Sequence, residues 1–194
     1  QLCMKAIEKY LKKSDKVADI GTGSGILSIC AIKFGASSAY GCDIDDTVID
    51  VCRENAKING IDVDYPQGEC NPAPVKFELN TADKITEKFD FVCANILHNV
   101  LAEIMGDLKN IMKDDAKMSL SGILDEKKPI VLEAIEREGM KIIDTILKYA
   151  NENDFDISNV VVNEGKYYNI EYIITQTERI ILIDSPYLTR SLCG

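Results

Sequence analysis

A single histidine, His98, stands in a chain of 194 residues. With no second imidazole and no C-x-x-C pair among seven cysteines, the chain lacks a plausible zinc set, and no metal is expected. No apolar run reaches the length of a membrane-spanning helix, and neither a signal peptide nor a membrane partner is expected. Positive charge is scarce. Lys and Arg number 22 against 32 Asp and Glu, a formal net charge of −10. Such a surface cannot neutralise a phosphate backbone, which argues against nucleic acid as partner. It suits a lysine-rich protein partner, and it also keeps a cytoplasmic protein soluble. Proline is sparse, and three of the five fall within Tyr65–Val75. There is no internal repeat and no low-complexity segment.

Hydrophobic residues make up 46% of the chain, enough to bury the core of one domain. The cysteines, at positions 3, 30, 42, 52, 70, 93 and 193, are odd in number and scattered through apolar stretches. That usage fits reduced core thiols in a cytoplasm.

Residues 16–25 read KVADIGTGSG. An apolar run, Val17–Ile20, ends in Gly21, Gly23 and Gly25, and an amphipathic segment, Ile26–Phe34, follows at once. That order predicts a strand, a tight turn and a helix. Glycine serves where φ is positive or a ligand approaches the main chain, and the free N–H groups of a new helix point at whatever lies over the turn. A dinucleotide fingerprint reads G-x-G-x-x-G. Here the spacing is G-x-G-x-G, with Asp19 two residues before the first glycine and Thr22 within the turn. The pattern resembles the first motif of class I S-adenosylmethionine (SAM) methyltransferases. A glycine-rich turn that binds nothing is the alternative.

Two further signals stand at strand ends. Ala39–Cys42 is a short apolar run that ends in Asp43-Ile44-Asp45, about 20 residues past the turn, where an acid can hold both hydroxyls of a ribose. Asp45 and Asp46 read more simply as the cap and first-turn acids of the next helix, which Gly60 ends. Phe89–Ala94 reads as a buried strand that leaves the sheet at Asn95-Ile96-Leu97. The Asn95 side-chain carbonyl and the Ile96 main-chain carbonyl could grip two N–H groups and aim an amine lone pair. An amide is no base, so an ammonium must first lose its proton. For a lysine of pKa near 10.4 that costs roughly 4–5 kcal/mol at pH 7. Asn95 also suits a plain turn or N-cap. His98 is either a proton relay beside this loop or a helix-start histidine facing solvent.

Taken in order, KVADIGTGSGILSICAIKFGA, GCDID, ENAKING, FDFVCANIL and LSGIL closely resemble the catalytic domain of the PrmA family, bacterial methyltransferases of ribosomal-protein lysines. The opening QLCMKAIEKYLKK resembles the helix before that family's first strand, and the likeness spans about residues 1–143. The resemblance implies SAM as cofactor, bound by Asp19, Gly21, Thr22, Gly23, Gly25, Asp43, Ile44 and Asn95. It implies an acceptor amine held by Asn95, Ile96 and Leu97, with Ser121-Gly122 lining the site, and a protein of the large ribosomal subunit as substrate. The family's usual Gly-Asp after the third strand is absent, and Thr81-Ala82-Asp83 is the nearest substitute, with Asp83 as the adenine contact. The family also carries an N-terminal domain that grasps the substrate, and Gln1 starts just before the core helix. A small-molecule amine methyltransferase and a SAM-binding module without activity remain as alternatives. Nothing in the sequence speaks to oligomeric state.

The fold expected is a doubly wound α/β architecture, a mostly parallel seven-stranded sheet with an antiparallel C-terminal ribbon. Residues 1–175 form the catalytic domain, and 176–194 form an extension with a possible extra edge strand. Strands are expected at 16–20, 38–42, 75–79, 89–94 and 116–121, and helices between them. Pro129 suits the first turn of a helix ending near Gly139. Met140–Ala150 is ambiguous, its Ile142, Ile143, Ile146, Leu147 and Ala150 fitting a helical face better than a strand. Ile157–Asn163, Tyr167–Thr175 and Arg179–Asp184 read as β-runs.

Overall fold

A computed structural model describes residues 2–63, 74–146 and 170–175. Its centre is a parallel sheet of β1 (Lys16–Ile20), β2 (Ser38–Asp43), β3 (Val75–Leu79), β4 (Phe89–Asn95) and β5 (Met112–Ile123). They lie in the order β3-β2-β1-β4-β5. All four pairings are parallel. The central strands are buried on both faces, which is why Val17–Ile20 and Phe91–Ala94 read as unbroken rather than alternating apolar runs.

Helices cover both faces. On one side α1 (Leu2–Tyr10), α2 (Ile26–Lys33) and α3 (Asp46–Ile58) place Ile7, Ile29 and Cys52 against Val17, Phe77 and Phe91. On the other side α4 (His98–Glu103), α5 (Met105–Asn110) and α6 (Lys128–Arg137) place Leu101, Leu108 and Val131 against Ile20, Val92 and Leu120. The chain winds one way from β1 through β3 and the other way from β4, so a crevice opens at the carboxyl ends of β1 and β4.

Local chemistry sets the helix ends. Asp45 caps α3, its carboxylate accepting from the Thr47 amide at 2.9 Å, and Gly60 closes the helix at φ 67°. Pro129 sits in the first turn of α6. Cys3, Cys30, Cys42, Cys52 and Cys93 are buried and form no disulfide among the described residues, as their apolar settings suit.

The start of Met140–Ala150 is a correction to the helical expectation. Lys141–Ile146 is a strand, β6, and it pairs antiparallel with β7 (Ile170–Thr175), which also pairs antiparallel with β5. The apolar spacing fits either element. The ladder decides it, because the β-branched Ile142, Ile143 and Thr145 lose little by lying extended. Asp144 ties β6 to α1, accepting from Lys9 at 2.6 Å and from the Tyr10 hydroxyl. The runs Ile157–Asn163 and Arg179–Asp184, and residues 167–169, lie outside the described residues.

Candidate active site

The glycine turn leaves β1 at Gly21, at φ 71°. A Cβ there would stand 2.2 Å from Cγ2 of Ile96, so the turn needs glycine both for its backbone and for the approach of the Asn95–Leu97 loop. The turn is tethered from below. The amides of Gly21 and Thr22 both donate to the Cys42 carbonyl at 2.9 Å. The Cys52 thiol donates to the Gly23 carbonyl, and the Asn55 amide donates to the Ser24 carbonyl. The floor is therefore built in advance of any ligand.

Asp19 and Thr22 belong to this tethering. Asp19 is only 1% exposed, and its Oδ2 accepts from the Thr22 hydroxyl at 2.7 Å, the Ser28 hydroxyl at 3.0 Å and the Ser28 amide at 3.2 Å. Its Oδ1 is buried without a partner among the described residues. Burial pushes the Asp19 carboxyl up to about 6 from 3.8, against the downward pull of Thr22 and Ser28. A carboxyl raised in the folded state binds more protons there than in the unfolded chain. Its contribution to stability is thus greatest below pH 3.8 and falls as pH rises through about 6. At 1.36 kcal/mol per pH unit the loss is about 3 kcal/mol. Asp19→Asn is expected to flatten this fall. Urea denaturation of both proteins from pH 4.5 to 7 measures it, and identical slopes would overturn the assignment.

Asp43 ends β2 half-buried beside the turn. Its Oδ2 accepts from the Gly23 amide at 3.0 Å and its Oδ1 from the Asp45 amide at 3.2 Å. An ionised carboxylate offers about four acceptor positions, so one on each oxygen remains for a pair of vicinal hydroxyls. Next to it Ile44 is 79% exposed, an apolar side chain left uncovered at the mouth of the crevice. Both line a cavity of about 420 Å³, large enough for a nucleoside-sized ligand. Gly21 forms part of its floor, and Ile96 and Leu97 part of its wall.

Asn95 closes β4, opposite Ser121 of β5, and its side chain is exposed rather than set within the cavity lining. Leu97 is 65% exposed beside it. The Ile96 carbonyl points at Gly122, where a Cβ would stand 2.4 Å from the oxygen. Gly122, at φ 86°, thus gives the loop the room it needs. His98 begins α4 half-buried, and its Nδ1 is enclosed without a partner among the described residues, so it does not simply face solvent.

Thr81, Ala82 and Asp83 reach the far end of the cavity together with Asn80. A relay orients them. The Asn80 side chain donates to the Tyr40 hydroxyl at 2.9 Å and accepts from the Thr81 amide at 2.9 Å, while Tyr40 donates to Glu78 at 2.8 Å. Sequence reasoning missed the opposite wall, formed by Val100, Ile104 and Asp107. Their spacing of four and three residues is one helical face, which reads like an ordinary core stripe. The cavity's polar lining includes three carboxylates, Asp43, Asp83 and Asp107, and no lysine or arginine among the described residues.

Comparison with known proteins agrees with this geometry. The family model described as ribosomal protein L11 methyltransferase (PrmA) matches residues 1–151. The protein of that name from Caldicellulosiruptor bescii is 36% identical over 143 residues, covering 74% of this chain and 43% of its own length. The chain thus spans less than half the length of the curated relatives it matches. The crystal structure of the ribosomal protein L11 methylase from Lactobacillus delbrueckii superposes with a TM-score of 0.72 at 26% identity, over 91% of this chain and 78% of that one. A magnesium protoporphyrin IX methyltransferase from Synechocystis, solved with bound SAM, shares the fold at a TM-score of 0.63 and 16% identity, over 90% of this chain and 76% of its own.

Proposed function

This chain belongs to the ribosomal protein L11 methyltransferase (PrmA) family, and from that premise we propose that it is a SAM-dependent methyltransferase of ribosomal-protein amines. One observation carries the choice of cofactor. The cavity joins a glycine floor to three carboxylates and offers no cationic side chain among the described residues. A dinucleotide brings a pyrophosphate that wants positive partners, whereas SAM brings a sulfonium and an ammonium that carboxylates favour.

The residues fit the group. Asp43 has acceptor positions to spare for the ribose, Ile44 and Ala82 offer apolar cover to a base, and Gly21 in the floor, with Gly23 open beside it, lets the remainder lie against the main chain, while Gly25 makes room for Phe77 and Cys52 behind the turn. When bound, SAM supplies an electrophilic methyl group for direct displacement by an amine nitrogen. The chain's own contribution is alignment and dryness. Asn95, at the rim, accepts from the incoming amine and aims its lone pair, and Ile96 and Leu97 shield the approach. The acceptor is a lysine side chain or an α-amine. Its proton leaves before transfer, helped by desolvation and the nearby cationic cofactor. The substrate is the L11 protein that the relatives' names give, and the cytoplasm is where the two meet. The same reading takes residues 1–175 as the catalytic domain, with a seven-stranded sheet closed by the antiparallel ribbon, and 176–194 as an extension.

Calorimetry with SAM and with NAD tests the cofactor. SAM should bind and NAD should not, and Asp43→Ala should weaken SAM at least about tenfold, since two charge-assisted hydrogen bonds are lost. Micromolar NAD binding without SAM binding would overturn the proposal. Transfer of labelled methyl from SAM to L11 tests the reaction.

A further inference from the structure

The wall made by Val100, Ile104 and Asp107 has no counterpart in the motifs that mark the site. It comes from the α4–α5 segment, and α5 packs against the short helical turn Ala82–Lys84 that carries Asp83. At this end of the cavity the interior is apolar, with Ile44, Ala82, Val100 and Ile104, as the two faces of a planar base require. Its polar side chains are the carboxylates of Asp83 and Asp107 and the Asn80 amide, which is already engaged by the Tyr40 hydroxyl and the Thr81 amide. The Thr81 hydroxyl is enclosed and offers no surface there.

An ionised carboxylate only accepts hydrogen bonds. A base edge that carries an exocyclic amine has two hydrogens to give, one to each acid. A base with a carbonyl at the same place would set a lone pair against them. Asp83 is exposed, so water and salt weaken whatever it contributes. Asp107 is half-buried and is bonded through its side chain to no other described residue.

We propose that Asp107 is a specificity-determining residue, whose carboxylate selects a 6-amino purine over a 6-oxo purine in the bound nucleoside. The proposal rests on the reading of the cavity as a SAM site and adds the residue that reads the base. A site arranged to pair with a donor leaves its own polar group unpaired when the analogue lacks that donor, which is how small chemical differences become large affinity ratios.

The test is calorimetry with S-adenosylhomocysteine and its 6-oxo analogue, S-inosylhomocysteine. The wild-type protein should prefer the adenosyl compound by about tenfold or more. Asp107→Ala should weaken the adenosyl compound and bring the two within about threefold of each other. Asp107→Asn, whose amide can also donate, should raise affinity for the inosyl compound above the wild-type value. Asp83→Ala should keep most of the preference. If Asp107→Ala keeps the wild-type preference, or Asp83→Ala abolishes it, the proposal is overturned. If the wild-type protein binds neither compound, the SAM reading itself fails, and that outcome is distinct from binding without preference.

Discussion

Asn95→Ala is expected to cut methyl transfer to L11 at least about a hundredfold while leaving SAM affinity within about threefold. The split follows from position. Asn95 ends β4 with an exposed side chain and does not line the cavity in which the cofactor is proposed to sit. It can touch an arriving amine and contributes little to the cofactor's own cover. Losing one alignment contact at the reacting centre commonly costs on the order of a hundredfold, because a misplacement of about 1 Å takes the nucleophile off its line of attack. Single-turnover rates and calorimetric affinities of wild type and variant separate the two quantities. A variant that turns over within about threefold of wild type would move the acceptor contact to another residue. Equal losses in turnover and affinity would make Asn95 part of the cofactor site.

The second large effect is structural and lies at Gly122. Gly122→Ala is expected to destabilise the protein by about 2–5 kcal/mol. A left-handed backbone costs an L-residue about 1–2 kcal/mol, and overpacking adds about 1–3 kcal/mol. The new Cβ would stand 2.4 Å from the Ile96 carbonyl oxygen, a main-chain atom that cannot rotate away. Gly21→Ala presses the same residue from the other side, but against its Cγ2 at 2.2 Å. The two therefore respond differently to a second change. Ile96→Ala should recover part of the stability lost in Gly21→Ala and little of that lost in Gly122→Ala, as a double-mutant cycle by chemical denaturation would show. Equal rescue in both backgrounds would mean that the loop shifts as a whole and that the clash with the carbonyl is not the cause.

The sequence made the carboxyl edge of the sheet legible because backbone requirements mark it. Gly21 has a positive φ and a close neighbour that only glycine tolerates. Asp43 and Asn95 each follow an apolar run of strand length, and a parallel sheet brings such ends together. Asp19 was legible as important, but its chemistry was not. The pattern that places an acid before the glycines does not say that Ser28 and Thr22 enclose it. The wall at Val100, Ile104 and Asp107 stayed hidden because a helical face turned to a cavity has the same period as one turned to a core. Lys141–Ile146 is ambiguous in the sequence for a related reason. Its isoleucines satisfy both periods, and the choice between them comes from a partner strand whose paired residues lie 25 (171 − 146) to 34 (175 − 141) positions away in the chain.

The central place of β1 also sets the order of events when the chain folds. Val17 pairs with Ala39 on one side and with Phe91 on the other, separations of 22 (39 − 17) and 74 (91 − 17) residues. Closing the longer loop costs roughly 1 kcal/mol more in chain entropy. The first pairing sets Asp43 beside the glycines early and locally. Only the second brings Asn95–Leu97 over Gly21. A refolding chain is therefore expected to form the Asp43 side of the crevice before the Asn95–Leu97 side, and under the proposed function competence for transfer waits on the longer closure.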